Sequence, residues 1–149
     1  SHAEARVLDG NGRFREISGN IVFPGFTAPK LVWMRNHKPD LFNQTAMVLL
    51  PKDYLRLWLT GERVSDMSDA AGTSWLDVGA RDWSDALLDA TMLDRSHMPK
   101  LIEGSAVSGM LKPPLASRWG ISNSVVVAGG AGDNAAAACG LGTVAPGSA

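Results

Sequence analysis

The chain has 149 residues, 45% of them apolar and 19% charged, with a formal net charge of −1; these globular values exclude wholesale disorder, and the length is that of one ordinary domain with a real core. Lysines and arginines scattered singly among acids exclude a general nucleic-acid binder. Cys139 is the single cysteine and no apolar run approaches the ~20 residues of a membrane span, so an internal disulfide, a thiolate zinc cluster and a membrane helix are excluded and a cytoplasmic location is expected.

The N-terminal run Ser1-His2-Ala3-Glu4-Ala5-Arg6 has no apolar signal core and no helix-start signal, and the run from Gly140 to Ala149 finishes no element. Both ends are those expected of a segment cut from a longer chain. Asp9-Gly10-Asn11-Gly12 predicts a turn whose flanks pair as a hairpin. Thr27 as N-cap and Pro29 in the first turn predict a helix running to about His37, broken by Pro39. Val48-Leu49-Leu50 predicts a short buried or extended run. Asp53 is a candidate cap for a helix with Leu55, Trp58 and Leu59 as its apolar face and Gly61 as its stop. The stretch 74–78 reads as extended. Ser84 is expected to cap a helix with Ala86, Leu87, Ala90 and Leu93 at helical spacing, and Pro113-Pro114 to open a short one ending at Trp119-Gly120. Last, the β-branched run Ser124 to Ala128 predicts a strand buried on both faces, followed by the glycine turn 129–132 and a helix over 135–139. Strand, glycine turn and helix in that order make the fold class α/β.

Asp133 is the candidate catalytic residue. It stands where a buried strand gives way to a helix, the edge at which open α/β sheets place ligands, and the glycines before it allow close approach. A carboxylate there can take a proton from a substrate hydroxyl; the same residue could equally be a plain helix N-cap. Gly130-Ala131-Gly132-Asp133-Asn134-Ala135 also meets the loose dinucleotide pattern, which wants an acidic residue ~20 positions later; the 16 residues after Asp133 contain no Asp or Glu. No Gly-Lys-Ser/Thr occurs, which excludes a P-loop. Asp66-Met67-Ser68-Asp69 has oxygen ligands at metal-like spacing, yet such side chains more commonly satisfy backbone amides in a tight turn. His2, His37 and His97 each stand alone, His2 in a frayed terminus, and read as surface residues. Trp33, Trp58, Trp75, Trp83 and Trp119 read as core and inter-element packing, since no basic residues interleave with them.

Together, several segments resemble the FGGY family of carbohydrate kinases, and within it the bacterial xylulokinases. They are Gly25 to Trp33, with Thr27, Lys30 and Trp33 at the family's spacing; Leu49 to Arg56; Leu59-Thr60-Gly61; Ser65 to Thr73; Leu76-Asp77-Val78; and Val127 to Asn134. The ordered matches cover roughly residues 18 to 149. The resemblance implies an actin-, hexokinase- and heat-shock-chaperone-like (ribonuclease H-like) domain, of which residues 1–149 form the C-terminal portion of the N-terminal kinase domain. It implies a sugar kinase phosphorylating D-xylulose at the expense of MgATP, with Asp133 as general base and Asn134 holding the sugar. Asp66 and Asp69 become structural residues near the cleft. The family's opening Asp-x-Gly-Thr hairpin, its Met-His sugar contact and its later Gly-Thr-Ser-Gly loop do not occur here, so no nucleotide is expected to bind this segment alone. The segment from Leu8 to Arg15 also looks longer than the family's usual connection. The implied partners are the ketopentose, the remaining part of the same enzyme and, beyond that, a homodimer mate; no nucleic acid or membrane is implied. A non-enzymatic sugar- or partner-binding module is the competing expectation, and a dinucleotide-binding fragment the third.

Overall fold

A computed structural model of the chain describes residues 1–147, so Ser148 and Ala149 of the expected unfinished tail lie outside the described residues. The chain opens with two helices, α1 (His2–Gly10) and α2 (Arg13–Ser18). The turn signal at residues 9–12 therefore joins two helices, and the expected hairpin is absent. The physical reason is that a glycine-rich turn ends a helix as readily as it reverses a strand: Gly12 (φ 73°) and Gly19 (φ 68°) take the left-handed conformation beside α2. His2 is the first residue of α1, so it lies in a helix and not in a frayed end.

Next come α3 (Thr27–His37) and α4 (Pro39–Asn43). Thr27 is the first helical residue of α3 and Phe26 holds the cap position without a side-chain bond, one position earlier than expected. Residues 45–50 form neither helix nor strand, with the Val48 amide donating to the His97 carbonyl (2.8 Å). Helix α5 (Pro51–Thr60) stops at Gly61 as its sequence indicates. Its buried face, however, is Asp53 and Arg56, while Leu55 and Trp58 are about half exposed (54% and 48%). The expected apolar face is thus reversed, and Asp53 sits inside the first turn instead of capping it.

Strand β1 (Val64–Asp66) leads into the short helix α6 (Met67–Ala70). After a 3₁₀ turn over Ala71–Thr73 the chain forms β2 (Leu76–Asp77) and β3 (Asp82–Trp83), an antiparallel pair. Ser84 caps α7 (Asp85–Asp89) by accepting from the Leu87 amide, as expected. Leu87 and Leu88 are both fully buried, whereas Ala86 faces solvent. Strand β4 (Lys100–Ile102) returns parallel to β1, pairing Val64 with Lys100 and Asp66 with Ile102. The last third holds β5 (Val107–Met110), α8 (Pro113–Trp119, closed by left-handed Gly120), β6 (Val126–Ala128) and α9 (Asp133–Gly140). Strand β6 pairs antiparallel with β5 alone and leaves Val126 54% exposed, so the strand expected to be buried on both faces has its sides open here.

One apolar cluster occupies the first two thirds of the chain. Leu8, Phe14, Val22, Val32, Trp75, Leu76, Trp83, Leu87, Leu88 and Met98 pack together across α1, α2, α3, α7 and the β2–β3 pair. Trp75 donates its indole N–H to Thr91 Oγ1 (3.0 Å) and Trp83 to the Pro99 carbonyl (2.8 Å), as buried indoles require. Trp33, Trp58 and Trp119 are instead about half exposed, the last two 6.2 Å apart; three of the five tryptophans are therefore outside the core. No helix among the described residues is long and apolar enough to cross a membrane.

Asp9 braces the two opening helices. It accepts from Arg15 Nε (2.9 Å) and from the Val22 amide (3.0 Å), and the Arg15 bond, then the Val22 bond, hold its pKa down at about 2. A carboxyl lowered in the folded state contributes stability that is present above its unfolded pKa of ~3.9 and lost as pH falls through the folded value. Unfolding midpoints in denaturant should therefore decline between about pH 4 and about pH 2, and Asp9→Asn should flatten this part of the decline.

Candidate functional site

The candidate site is built on a buried charge cluster beneath α5 and β1. Asp53 and Asp66 are fully buried and Arg56 is 4% exposed. Lys52 Nζ donates to Asp53 Oδ1 (2.7 Å) and lies at ion-pair distance from Asp66 Oδ1 (2.9 Å) and Asp69 Oδ2 (3.1 Å). Arg56 Nη1 donates to Asp53 Oδ1 (2.7 Å) and to the Val64 carbonyl (2.7 Å), and Nη2 to the Gly129 carbonyl. Burial works against the Lys52 ammonium, but its bonds to Asp53, Asp66 and Asp69 outweigh it and raise the pKa. Burial likewise works against the Asp66 carboxylate, and Lys52, the Asp69 amide and Ser68 outweigh it and lower the pKa.

The Asp66–Asp69 turn belongs to this cluster. Asp66 caps α6, its Oδ2 accepting from the Asp69 amide (2.9 Å) and from Ser68 Oγ (3.0 Å). The turn residues thus satisfy backbone amides and pair with Lys52. No group of three or more potential metal-ligating His, Cys, Asp or Glu side chains occurs among the described residues.

Arg56 connects this cluster to the glycine turn. Gly129 runs so close to the chain at Glu103 and Gly104 that a Cβ on it would meet the Glu103 carbonyl oxygen at 2.4 Å. Gly130 has φ +87°, which L side chains rarely adopt. Three of the four amides of the turn are already committed. Gly129 donates to the Ala106 carbonyl (2.9 Å), Gly130 to the Gly104 carbonyl (2.9 Å) and Gly132 to Ser68 Oγ (2.9 Å). With these three amides bonded within the chain, the turn has little backbone left to offer the phosphate that the dinucleotide pattern in the sequence would require.

Asp133 follows at the first position of α9. Gly132 takes the cap position and no side-chain cap bond is made; Asp133 Oδ1 accepts only from the adjoining Asn134 amide (2.8 Å). The N-cap role that the sequence left open is not what Asp133 does. Asp133 and Asn134 are exposed. They line an open cleft of about 550 Å³ together with Thr27 and Lys30 of α3, Asn20, and Ser68 and Asp69 of the α6 turn. Asn20, Lys30 and Ser68 are cleft residues to which the sequence pattern assigned no role. Lys30 could have been suspected from its place in the family spacing and Ser68 from its place in the Ser65–Thr73 match, whereas Asn20 carries no local signal. His37 stacks on Trp33 and His97 bonds Asp94 in a capping box, both at the surface and away from the cleft.

Residues 4–140 match the FGGY family of carbohydrate kinases, N-terminal domain. The chain belongs to this family. Xylulose kinase of Escherichia coli (strain K12) is 58% identical over 141 residues, 95% of this chain and 28% of that protein. Xylulose kinase of Lactococcus lactis is 43% identical over 89% of this chain and 26% of that protein. Among solved structures, a xyloylose kinase from Brucella ovis superimposes with a TM-score of 0.94 at 63% identity, covering 97% of this chain and 30% of that one. Xylulose kinase from Rhodospirillum rubrum gives 0.88 at 28% identity. The chain thus spans roughly three tenths of the relatives' length and has the α/β, actin- and hexokinase-like architecture of FGGY kinases.

The buried pair supports a stability prediction. Removing one member of a buried ion pair leaves the other without compensation and typically costs about 3–5 kcal/mol. Arg56→Ala should therefore show a loss of that order in equilibrium denaturation. Lys30→Ala, on the cleft rim, should stay within about 0.5 kcal/mol of the parent.

Proposed function

We propose that the enzyme containing this FGGY domain phosphorylates D-xylulose at its 5-hydroxyl with MgATP, and that Asp133 is the general base. The observation that carries this reading is 58% identity to a xylulose kinase across 95% of the chain, with Asp133 and Asn134 standing together on the open cleft. The hydroxyl of a bound ketose within reach of Asp133 would pass its proton to the carboxylate as its oxygen attacks phosphorus. Asn134, with both a donor and an acceptor, would hold a neighbouring sugar hydroxyl. The Lys52–Asp53–Arg56 cluster beneath keeps the turn rigid, so the carboxylate need not reorganise during transfer.

The nucleotide falls to residues elsewhere in the enzyme, because the amides of Gly129, Gly130 and Gly132 are bonded within the chain. The exposed Leu55, Trp58, Trp119 and Val126, and the uncovered helix α9, are the surfaces that the remainder of the enzyme would meet. A cytoplasmic setting accords with a phosphorylated pentose as product.

In the full-length enzyme, Asp133→Asn should lower kcat by roughly 10²–10⁴-fold, the usual worth of a positioned acid–base group. KM for D-xylulose should change much less, because the other sugar contacts remain. Steady-state kinetics on the purified variant make the check, and near-normal turnover would overturn the assignment.

A further inference from the structure

Gly132, the residue that precedes Asp133, is held at both ends. Its backbone N–H donates to Ser68 Oγ (2.9 Å), a contact across 64 residues of sequence. Its carbonyl accepts from the Ala136 amide (2.9 Å), the first bond of α9. Gly132 also packs against the backbone of Asp69, whose Cα would lie 3.4 Å from a Cβ at that position. No buried apolar residue anchors α9, so these polar contacts and Arg56 on Gly129 fix where the helix begins.

Ser68 has one proton and uses it on Asp66. The Gly132 amide can only donate, so the Ser68 oxygen must accept from it; Asp66, with its pKa lowered, can only accept, so the Ser68 hydroxyl must donate to it (3.0 Å). Asp66 is in turn fixed by Lys52 (2.9 Å) and by the Asp69 amide (2.9 Å). The result is a directed chain, Gly132 N–H to Ser68 to Asp66, with the Lys52 ammonium against the far oxygen. A hydroxyl polarised by a charged acceptor is the stronger acceptor itself.

We propose that Ser68 is a positioning residue for Asp133: through its bond to the Gly132 amide it transfers the fixed geometry of the Lys52–Asp66 pair to the start of α9 and so sets where the Asp133 carboxylate stands in the cleft. The inference rests on Asp133 as the base. Its consequence is kinetic: a displacement of about 1 Å at the reacting group costs on the order of 10²-fold in rate. Ser68→Ala removes the bond and leaves every residue that faces the sugar, apart from Ser68 itself, in the chain.

The test is a double-mutant cycle in the full-length kinase, with kcat, KM for D-xylulose and unfolding midpoint measured on each protein. Ser68→Ala should lower kcat by about 10–100-fold, with KM for D-xylulose changed by less than about threefold. Ser68→Thr, which keeps the hydroxyl, should recover most of that loss; equal losses in Ala and Thr would overturn the proposal. In the Asp133→Asn background, Ser68→Ala should be nearly silent, because it acts only through the carboxylate already removed. A full additional loss there would show that Ser68 touches substrate independently and would also overturn it. Should Ser68→Ala not fold, Ser68→Cys keeps the volume with a much weaker hydrogen-bonding group, and normal kcat in that variant would count against the proposal. Near-normal turnover of Asp133→Asn alone would defeat the base assignment and this inference with it, whereas a crippled Asp133→Asn beside a fully active Ser68→Ala would defeat only the inference.

Discussion

The contact on which the rest of the site depends is Arg56 in the buried space between α5, β1 and the glycine turn. Its guanidinium reaches Asp53 on its own helix, the Val64 carbonyl at the start of β1 and, 73 residues away, the Gly129 carbonyl of the glycine turn. A planar fork with several fixed donors suits this role, and a lysine could reach only one such group at a time with comparable geometry. The apolar core cannot perform it, because the core lies among the earlier elements and Leu111 and Ala116 are the buried apolar residues among those described beyond Leu101. The end of the chain that carries Asp133 is therefore joined to the body chiefly by polar contacts. Such joints are directional, which a hydrophobic contact is not.

That choice has an energetic consequence. A buried ion pair is often no more stabilising than apolar residues of the same volume, since desolvation offsets most of the attraction. Asp53, Arg56, Lys52 and Asp66 in the interior thus make poor sense as a source of stability alone. They make better sense as a frame, because the pairing fixes Arg56, whose guanidinium meets the Gly129 carbonyl, and Asp66, which holds the Ser68 that meets the Gly132 amide. Gly129, with a carbonyl oxygen where its side chain would be, shows how tightly the turn is packed.

What the sequence made legible was whatever a few neighbouring residues decide. Ser84 as a cap, Gly61 and Gly120 as helix stops and Pro113 as a helix start each act through backbone atoms within a turn of themselves, and each stands where its residue type indicates. The misses have a common cause. The turn over residues 9–12 joins helices because α1 packs on α3, which no residue within that turn records. Helix α5 buries Asp53 and Arg56 instead of Leu55 and Trp58 because acids and bases on one helix face normally signal solvent, and only the distant partners Val64 and Gly129 reverse that. The turn over 66–69 was readable as a satisfied turn, but its partner Lys52 was not. Asp133 and Asn134 stood out through the glycines before them, and the family resemblance gave them roles; Ser68 lay within the Ser65–Thr73 match but received no role, because its importance lies in a contact with Gly132.

The internal bonding of the three glycine amides also explains a division of labour. Glycine-rich turns at helix starts commonly offer free amides to phosphate. Here the same feature of sequence has the opposite use: Ala106, Gly104 and Ser68 accept the amides of Gly129, Gly130 and Gly132, and the turn becomes a rigid mount. A turn that bound phosphate through those amides would change its contacts each time the nucleotide came and went, and the attached carboxylate would move with it. By spending the amides internally, the chain keeps Asp133 in one place throughout the proposed cycle. Glycine is then required for close packing and a left-handed φ, with no ligand involved, which is why a glycine pattern by itself does not identify a nucleotide site.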